Sequence, residues 1–215
     1  MTESEKQLIL DYFIRGDNIG KMDVFDAVEF LTRIDGDTLI SAILSNRDSL
    51  RPIETNDIPQ FSDEHDIYNV LRVLIDSGLS ELTYEQIGSY LCPVNAKATA
   101  MRKYGENHYK FAAQIGLAKK GYPLLPTEIG IAYYLFTKDS QRQELMDRLV
   151  YSIPFVQHIL VKASEGPFLM MDYLDTFLAH STALRRRSNL HKIMRWASEI
   201  TQGESNQLFD NIVWY

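Results

Sequence analysis

Apolar residues recur at helical spacing along nearly the whole chain, and nowhere do strands and helices alternate as a parallel sheet requires. This excludes a large central sheet and predicts a mainly α fold with small β-hairpins. Glu5–Ile14 places Leu8, Tyr12 and Phe13 on one face, and Asp23–Ile34 does the same with Val24, Ala27, Val28 and Leu31. Asp37 or Thr38 stands where it can cap a third helix, Leu39–Ser45. Arg51–Ser62, with Pro52 and Pro59 among polar residues, reads as a linker. Residues 1–60 are therefore expected to form an acidic helical extension that packs on the body or on a second subunit.

The rest of the chain repeats one order of elements without repeating its sequence. In residues 64–136, Asp66–Ser77 offers Ile67, Val70, Leu71, Leu74 and Ile75 as a core stripe. Thr83 with Gln86 forms a capping-box pattern that opens a short helix to Leu91, and Cys92-Pro93 breaks it. A long helix follows from Lys97 to Ile115, with Gly116 as its C-terminal stop. Met101, Tyr104, His108, Phe111, Ala112 and Ile115 share its inner face, while Thr99, Arg102, Lys103, Glu106 and Lys110 fall outside. Leu117–Leu124 reads as two short strands around a basic turn, a small wing, and Thr127 caps a closing helix to Phe136. In residues 140–215 the helices are Arg142–Ser152, Phe155–Ala163, Leu169–Leu178 and Thr182–Ile200. There Gln207–Phe209 and Ile212–Tyr215 are expected to pair as a hairpin. Short helix, short helix, long basic helix and hairpin, twice over, predict a tandem winged helix-turn-helix arrangement behind the N-terminal extension.

Charge follows the same division. The chain carries a net charge of −7, yet residues 97–120 and 180–198 hold eleven of the 22 Lys and Arg and only one of the 29 acids, Glu106. Each window is the third helix of its unit, where a helix-turn-helix keeps its reading helix. Two local basic elements on an acidic body suit directed contact with duplex DNA better than general coating of nucleic acid. A groove-reading helix needs an apolar face for its own core and donors on the other. Ala183, Leu190, Ile193, Met194 and Ala197 supply the first, and Ser181, Arg185, Ser188, Lys192 and Arg195 the second. Arg186 and Arg187 flank the core face, where Asp172 or Asp175 is an available partner; Arg186 is kept as a phosphate-positioning candidate. In the first unit the DNA-facing candidates are Arg102, Lys103, Lys110, Lys119 and Lys120. The rival reading of each helix is a solvated cationic face.

Ser181-Thr182-Ala183-Leu184-Arg185-Arg186-Arg187-Ser188-Asn189-Leu190, followed by Trp196, resembles a Ser-Thr…Arg-Arg…Ser/Thr…Trp signature. That signature belongs to winged-helix modules of restriction-enzyme-like and other bacterial defence proteins. His108–Leu117 is similar to the aromatic–Ala–Leu-Gly-Leu helix that precedes the wing in such modules. Thr127-Glu128-Ile129-Gly130 resembles the Leu-Thr-x-x-Gly after it, with Pro126 in place of the usual leucine. The resemblance covers about residues 64–200. It implies tandem winged helices on duplex DNA, often beside a nuclease or ATPase.

Catalysis finds little support. There is no Gly-rich phosphate loop, no Gly-x-Ser-x-Gly elbow and no Asp…Glu-x-Lys arrangement on a strand pair. The five histidines are scattered, so no metal site or cofactor is expected, and His108 on an apolar face reads as a core residue. Cys92, the single cysteine, excludes an internal disulfide and suits a reducing, cytoplasmic setting. No apolar run approaches the roughly 20 residues needed to span a bilayer. The chain reads as a DNA-binding regulator or DNA-targeting subunit, not an enzyme; nuclease activity rests on the family association alone. The alternative is a winged-helix protein-interaction subunit of a larger complex that binds no DNA. In either case residues 1–60 are expected to mediate dimerisation or docking, and no membrane is involved.

Overall fold

The computed structural model of the chain describes all residues except 17, 18, 21, 61–63, 79, 80 and 94, and leaves out the side chains at 64 and 204. The described residues form twelve α-helices, short 3-10 and π segments and two strands of two residues each. None of the helices is long and apolar enough to cross a membrane. The chain divides into two compact units. One is Asp63–Gln143, and the other joins Met1–Ser62 to Glu144–Tyr215.

In the unit Asp63–Gln143, α4 (Glu64–Asp76) buries Ile67, Val70, Leu71, Val73 and Leu74, while Ile75 is only half-buried. α5 (Tyr84–Leu91) opens on the expected capping box. Thr83 Oγ1 accepts from Gln86 N–H at 3.2 Å, and the Gln86 side chain accepts from Thr83 N–H at 2.8 Å. α6 (Ala98–Gln114) runs back along α5, and two glycines set how closely. A Cβ on Gly88 would lie 1.8 Å from the Met101 carbonyl oxygen, and one on Gly105 would lie 2.0 Å from that of Tyr84. Real Cβ atoms do not approach so near, so any larger residue at either position forces the backbones apart.

After α6 the two short strands expected over Leu117–Leu124 are reduced to one antiparallel bridge, Ala118 to Pro126. Lys119 N–H donates to Leu125 O at 2.9 Å and Thr127 N–H to Leu117 O at 3.0 Å. Ala118 and Pro126 therefore face each other as a non-hydrogen-bonded pair, a position where the missing N–H of Pro126 costs the bridge no bond. α7 (Glu128–Leu135) closes the unit. Thr127 Oγ1 caps it from Gly130 N–H at 3.0 Å, an arrangement worth about 1 kcal/mol. α8 (Asp139–Leu149) spans the boundary between the units.

The second unit is built from both ends of the chain: residues 1–60 pack on the body, one of their two expected placements, and residues 140–215 are not a unit by themselves. α1 (Glu3–Leu8) continues into a π-helical stretch, Ile9–Arg15; α2 (Val24–Arg33) and α3 (Gly36–Ser45) follow. Asp35, rather than Asp37 or Thr38, caps α3, accepting from Thr38 N–H at 2.7 Å. Leu8, Phe13, Leu31, Leu39 and Ile43 are fully buried. They share a core with α9 (Pro154–Ser164), α10 (Met170–Asp175) and α11 (His180–Glu199). Hydrogen bonds to backbone carbonyls seal the junction: Gly36 N–H donates to Ile200 O at 2.8 Å, and Arg148 Nε donates to Ile34 O at 3.1 Å.

The C-terminal hairpin is also replaced. Glu204–Asp210 is a helix, α12, and β2 (Ile212–Val213) pairs in parallel with β1 (Phe168–Leu169), which lies between α9 and α10. Parallel strands cannot be joined by a tight turn, and here the chain between them runs through α10, α11 and α12.

Candidate nucleic-acid interface

The inner face of α11 is the one its periodicity predicts. Ala183, Leu190, Ile193, Met194 and Ala197 are buried, and Trp196 joins them at 3% exposed. The helix begins at His180, two residues before the expected start, because residues 176–179 make the turn.

On its outer face Ser181, Arg185, Ser188 and Arg195 are exposed. Among the described residues Arg185 meets no acid. Its guanidinium folds back on its own helix, to Ser181 O at 3.4 Å and Thr182 Oγ1 at 3.1 Å. Such local contacts are cheap to exchange for a phosphate or a base edge. Arg195 Nε lies 3.4 Å from Glu199, a surface pair of small value. Lys192 is half-buried, with Nζ 5.1 Å from the Trp196 ring centroid, so part of its charge already faces an aromatic ring.

The three arginines separate cleanly. Arg186 turns inward and donates to the Ile58 carbonyl at 2.8 Å. Burial, and secondarily the neighbouring Arg185, pushes its pKa down, yet a guanidinium stays charged at neutral pH. Arg187 lies 5.9 Å from the Tyr215 ring centroid. Neither takes the expected carboxylates; Asp175 pairs instead with His180 at 2.8 Å. Asn189 Nδ2 adds a second tie from α11, to Gln60 O at 2.6 Å. Residues 51–60 are thus a strap fastened along α11 and not a loose linker. His158 contacts Arg51 O at 2.8 Å, Thr55 Oγ1 donates to Phe177 O at 3.4 Å, and Arg51 is paired with Asp57.

In the other unit, Arg102, Lys103, Lys110, Lys119 and Lys120 are all exposed. Arg102 and Lys103 meet no acid among the described residues, whereas Lys110 pairs with Glu106 at 2.6 Å. His108 is a core residue, as its apolar face predicts. Nδ1 lies 2.8 Å from Tyr104 O and Nε2 2.9 Å from Asp66, whose Oδ2 also accepts from Tyr104 Oη at 3.0 Å. The cluster ties α6 to α4. Burial, with Asp66 adding to it, pushes the Cys92 thiol up, which makes it a poor nucleophile.

Two features were not read from the sequence. Tyr122, in the turn between Ala118 and Pro126, is 66% exposed; an aromatic inside a Gly-Tyr-Pro turn was the available signal. The second is a cavity of about 780 Å³ within residues 2–33. Leu8, Ile19, Met22 and Phe30 line it together with Glu3, Glu5, Asp11, Asp23, Asp26 and Glu29, and Arg33 at its edge is 3.2 Å from Glu29. No family model, curated protein or solved structure matches the chain.

Proposed function

We propose that the chain is a duplex DNA-binding protein, with α11 the principal reading helix of one winged-helix-type unit and α6 the corresponding helix of the other. The exposed, acid-free run Ser181–Arg185–Ser188 on a helix whose opposite face is wholly buried carries the reading. The order of α4, α5, α6, short bridge and α7 suits a winged helix in the first unit. In the second, the order α9, β1, α10, α11, β2 keeps the helices and the strand between them, but a helix stands where a hairpin wing belongs. A role as regulator or DNA-targeting subunit of a bacterial restriction- or defence-type system rests on the resemblance of residues 181–196 and 108–130 alone.

Selection of bound sequences from a random duplex pool, followed by salt titration of the best binder, tests the reading. Affinity should fall steeply as salt rises, because phosphate contacts release counterions. Absence of duplex binding at low salt ends it.

A second reading, a protein-interaction subunit, is favoured by the acidic cavity in residues 2–33, whose six carboxylates and apolar floor suit a basic, partly apolar protein segment. Charge reversal at Asp26 and Glu29, which leaves the Asp23 cap of α2 in place, then abolishes partner capture and leaves DNA binding intact. Because residues 1–60 share a core with residues 144–215, point changes test this better than deletion.

A further inference from the structure

Tyr122 stands 66% exposed in the turn that joins Ala118 to Pro126, and its position is fixed from the core outward. Its ring meets that of Tyr84 at a centroid distance of 5.4 Å, and Tyr84 meets Tyr109 edge-on at 5.8 Å. Tyr109 is buried and closes the base of the turn with its phenol. Its one O–H proton points between Lys119 O at 2.8 Å, the nearer acceptor, and Leu125 O at 3.3 Å, and its oxygen accepts from Leu125 N–H at 3.1 Å. A chain of three aromatic rings therefore runs from α5 and α6 to the turn and leaves one ring largely open to solvent.

The surroundings say what such a ring fits. Lys119 and Lys120, both exposed, precede it by three and two residues. Glu106, an acid that faces Tyr84, is held by Lys110 at 2.6 Å and so is partly neutralised. Of its neighbours along the chain Gly121 and Pro123 are exposed and Leu124 is buried, so the ring is the largest apolar group this turn exposes. One aromatic face beside two cations is the equipment that stacks a base and holds its phosphates. Within an intact duplex the base faces are covered by their neighbours, so the ring is offered to a base that has lost its partner or its stack.

We propose that Tyr122 is a stacking platform for an unpaired base of single-stranded DNA adjoining a duplex, with Lys119 and Lys120 on the flanking phosphates. The inference rests on the DNA-binding reading above and deepens it from duplex to duplex with a single-stranded tail.

The test uses the full chain and four probes: a short blunt duplex, the same duplex with a single-stranded thymine tail, the same with an abasic tail, and the thymine tail alone. The abasic tail keeps the phosphates and removes the faces. Wild type should bind the thymine-tailed duplex roughly 5- to 150-fold more tightly than the abasic-tailed one, the range of one base–aromatic stack. Tyr122→Ala should erase that ratio, Tyr122→Phe should keep it, and Lys119→Ala with Lys120→Ala should weaken both tailed duplexes alike. Thermal unfolding of Tyr122→Ala should match wild type, since the ring is mostly in water. Equal binding of thymine and abasic tails by wild type, or a Tyr122→Ala variant with the wild-type ratio, overturns the proposal and leaves duplex binding standing. Tyr122-dependent binding of the tail without any blunt-duplex binding supports the proposal and removes the duplex reading. Binding to none of the four probes removes both.

Discussion

α6 and α11 present similar charge outward but are held in their units by opposite means. α6 seats against α5 through glycines, backbone against backbone, and its inner polar side chains Tyr104 and His108 tie it to Asp66 of α4. α11 is seated by bulk, with Leu190, Ile193, Met194 and Trp196 inside, and it also carries the 51–60 strap on Arg186 and Asn189. A count of basic residues therefore overstates α11 as an interface: of its three consecutive arginines, Arg186 is committed to the Ile58 carbonyl. α6 has the opposite shortfall. Its Arg102 and Lys103 are uncommitted, but Lys110 is spent on the one acid of that window.

The largest expected effect comes from attacking the glycine seat. Gly105→Ala puts a methyl group against the Tyr84 backbone and should cost about 3 kcal/mol or more in urea unfolding, the upper end for overpacking. A cost under about 0.5 kcal/mol, the level of an ordinary surface change, would break the account of α6.

The arginines offer a crossed pair. Arg186→Ala leaves the buried Ile58 carbonyl without its donor and should cost about 1–3 kcal/mol of stability. Arg185→Ala should leave unfolding unchanged and cost about 1–3 kcal/mol of duplex affinity if it reads a base edge. If the two variants exchange phenotypes, the division of labour along α11 is wrong. Lys103→Ala should weaken all duplex sequences alike and lower the salt slope by roughly one unit, the mark of a phosphate contact.

Burial raises the phenols of Tyr12, Tyr84, Tyr134, Tyr151 and Tyr173 as well as that of Tyr109, so alkaline titration reaches the Ala118–Pro126 turn only by comparison with a Tyr109 variant. Burial pushes the Tyr109 phenol up to about 12. Its protonated form is favoured in the fold, so the contribution is complete below the ordinary tyrosine value near 10 and disappears as pH rises through about 12. Tyr109→Phe should remove that part of the alkaline stability loss, read by circular dichroism. The smallest effect belongs to Lys110→Ala, about 0.3–0.5 kcal/mol for an exposed i,i+4 pair, seen as a slight drop in melting temperature.

Much of this molecule was legible before any coordinates. The capping box at Thr83, the cap at Thr127 and the buried stripe of α11 all follow from chemistry spanning a few residues, which a sequence displays directly. Exposure of Arg185 and burial of His108 follow from the same periodicity. Arg186 and Arg187 were correctly placed beside the core face, but their partners were not. Backbone carbonyls occur at every residue, and nothing in Ile58 marks its oxygen as the one that a guanidinium 128 positions away will use.

What the sequence determined by itself was a helical chain with two basic third helices, because helix periodicity, capping and charge are local properties. Tertiary structure decided how the pieces combine. It joined residues 1–62 to residues 144–215 in one core, turned a proline-bearing polar stretch into a strap, and paired Phe168–Leu169 in parallel with Ile212–Val213 where a hairpin was expected. Two-residue strands are too short to show alternation, and an amphipathic helix announces that it has an apolar face without saying which surface will cover it. Only long-range packing, where each face finds the partner that excludes the most water, settles that choice.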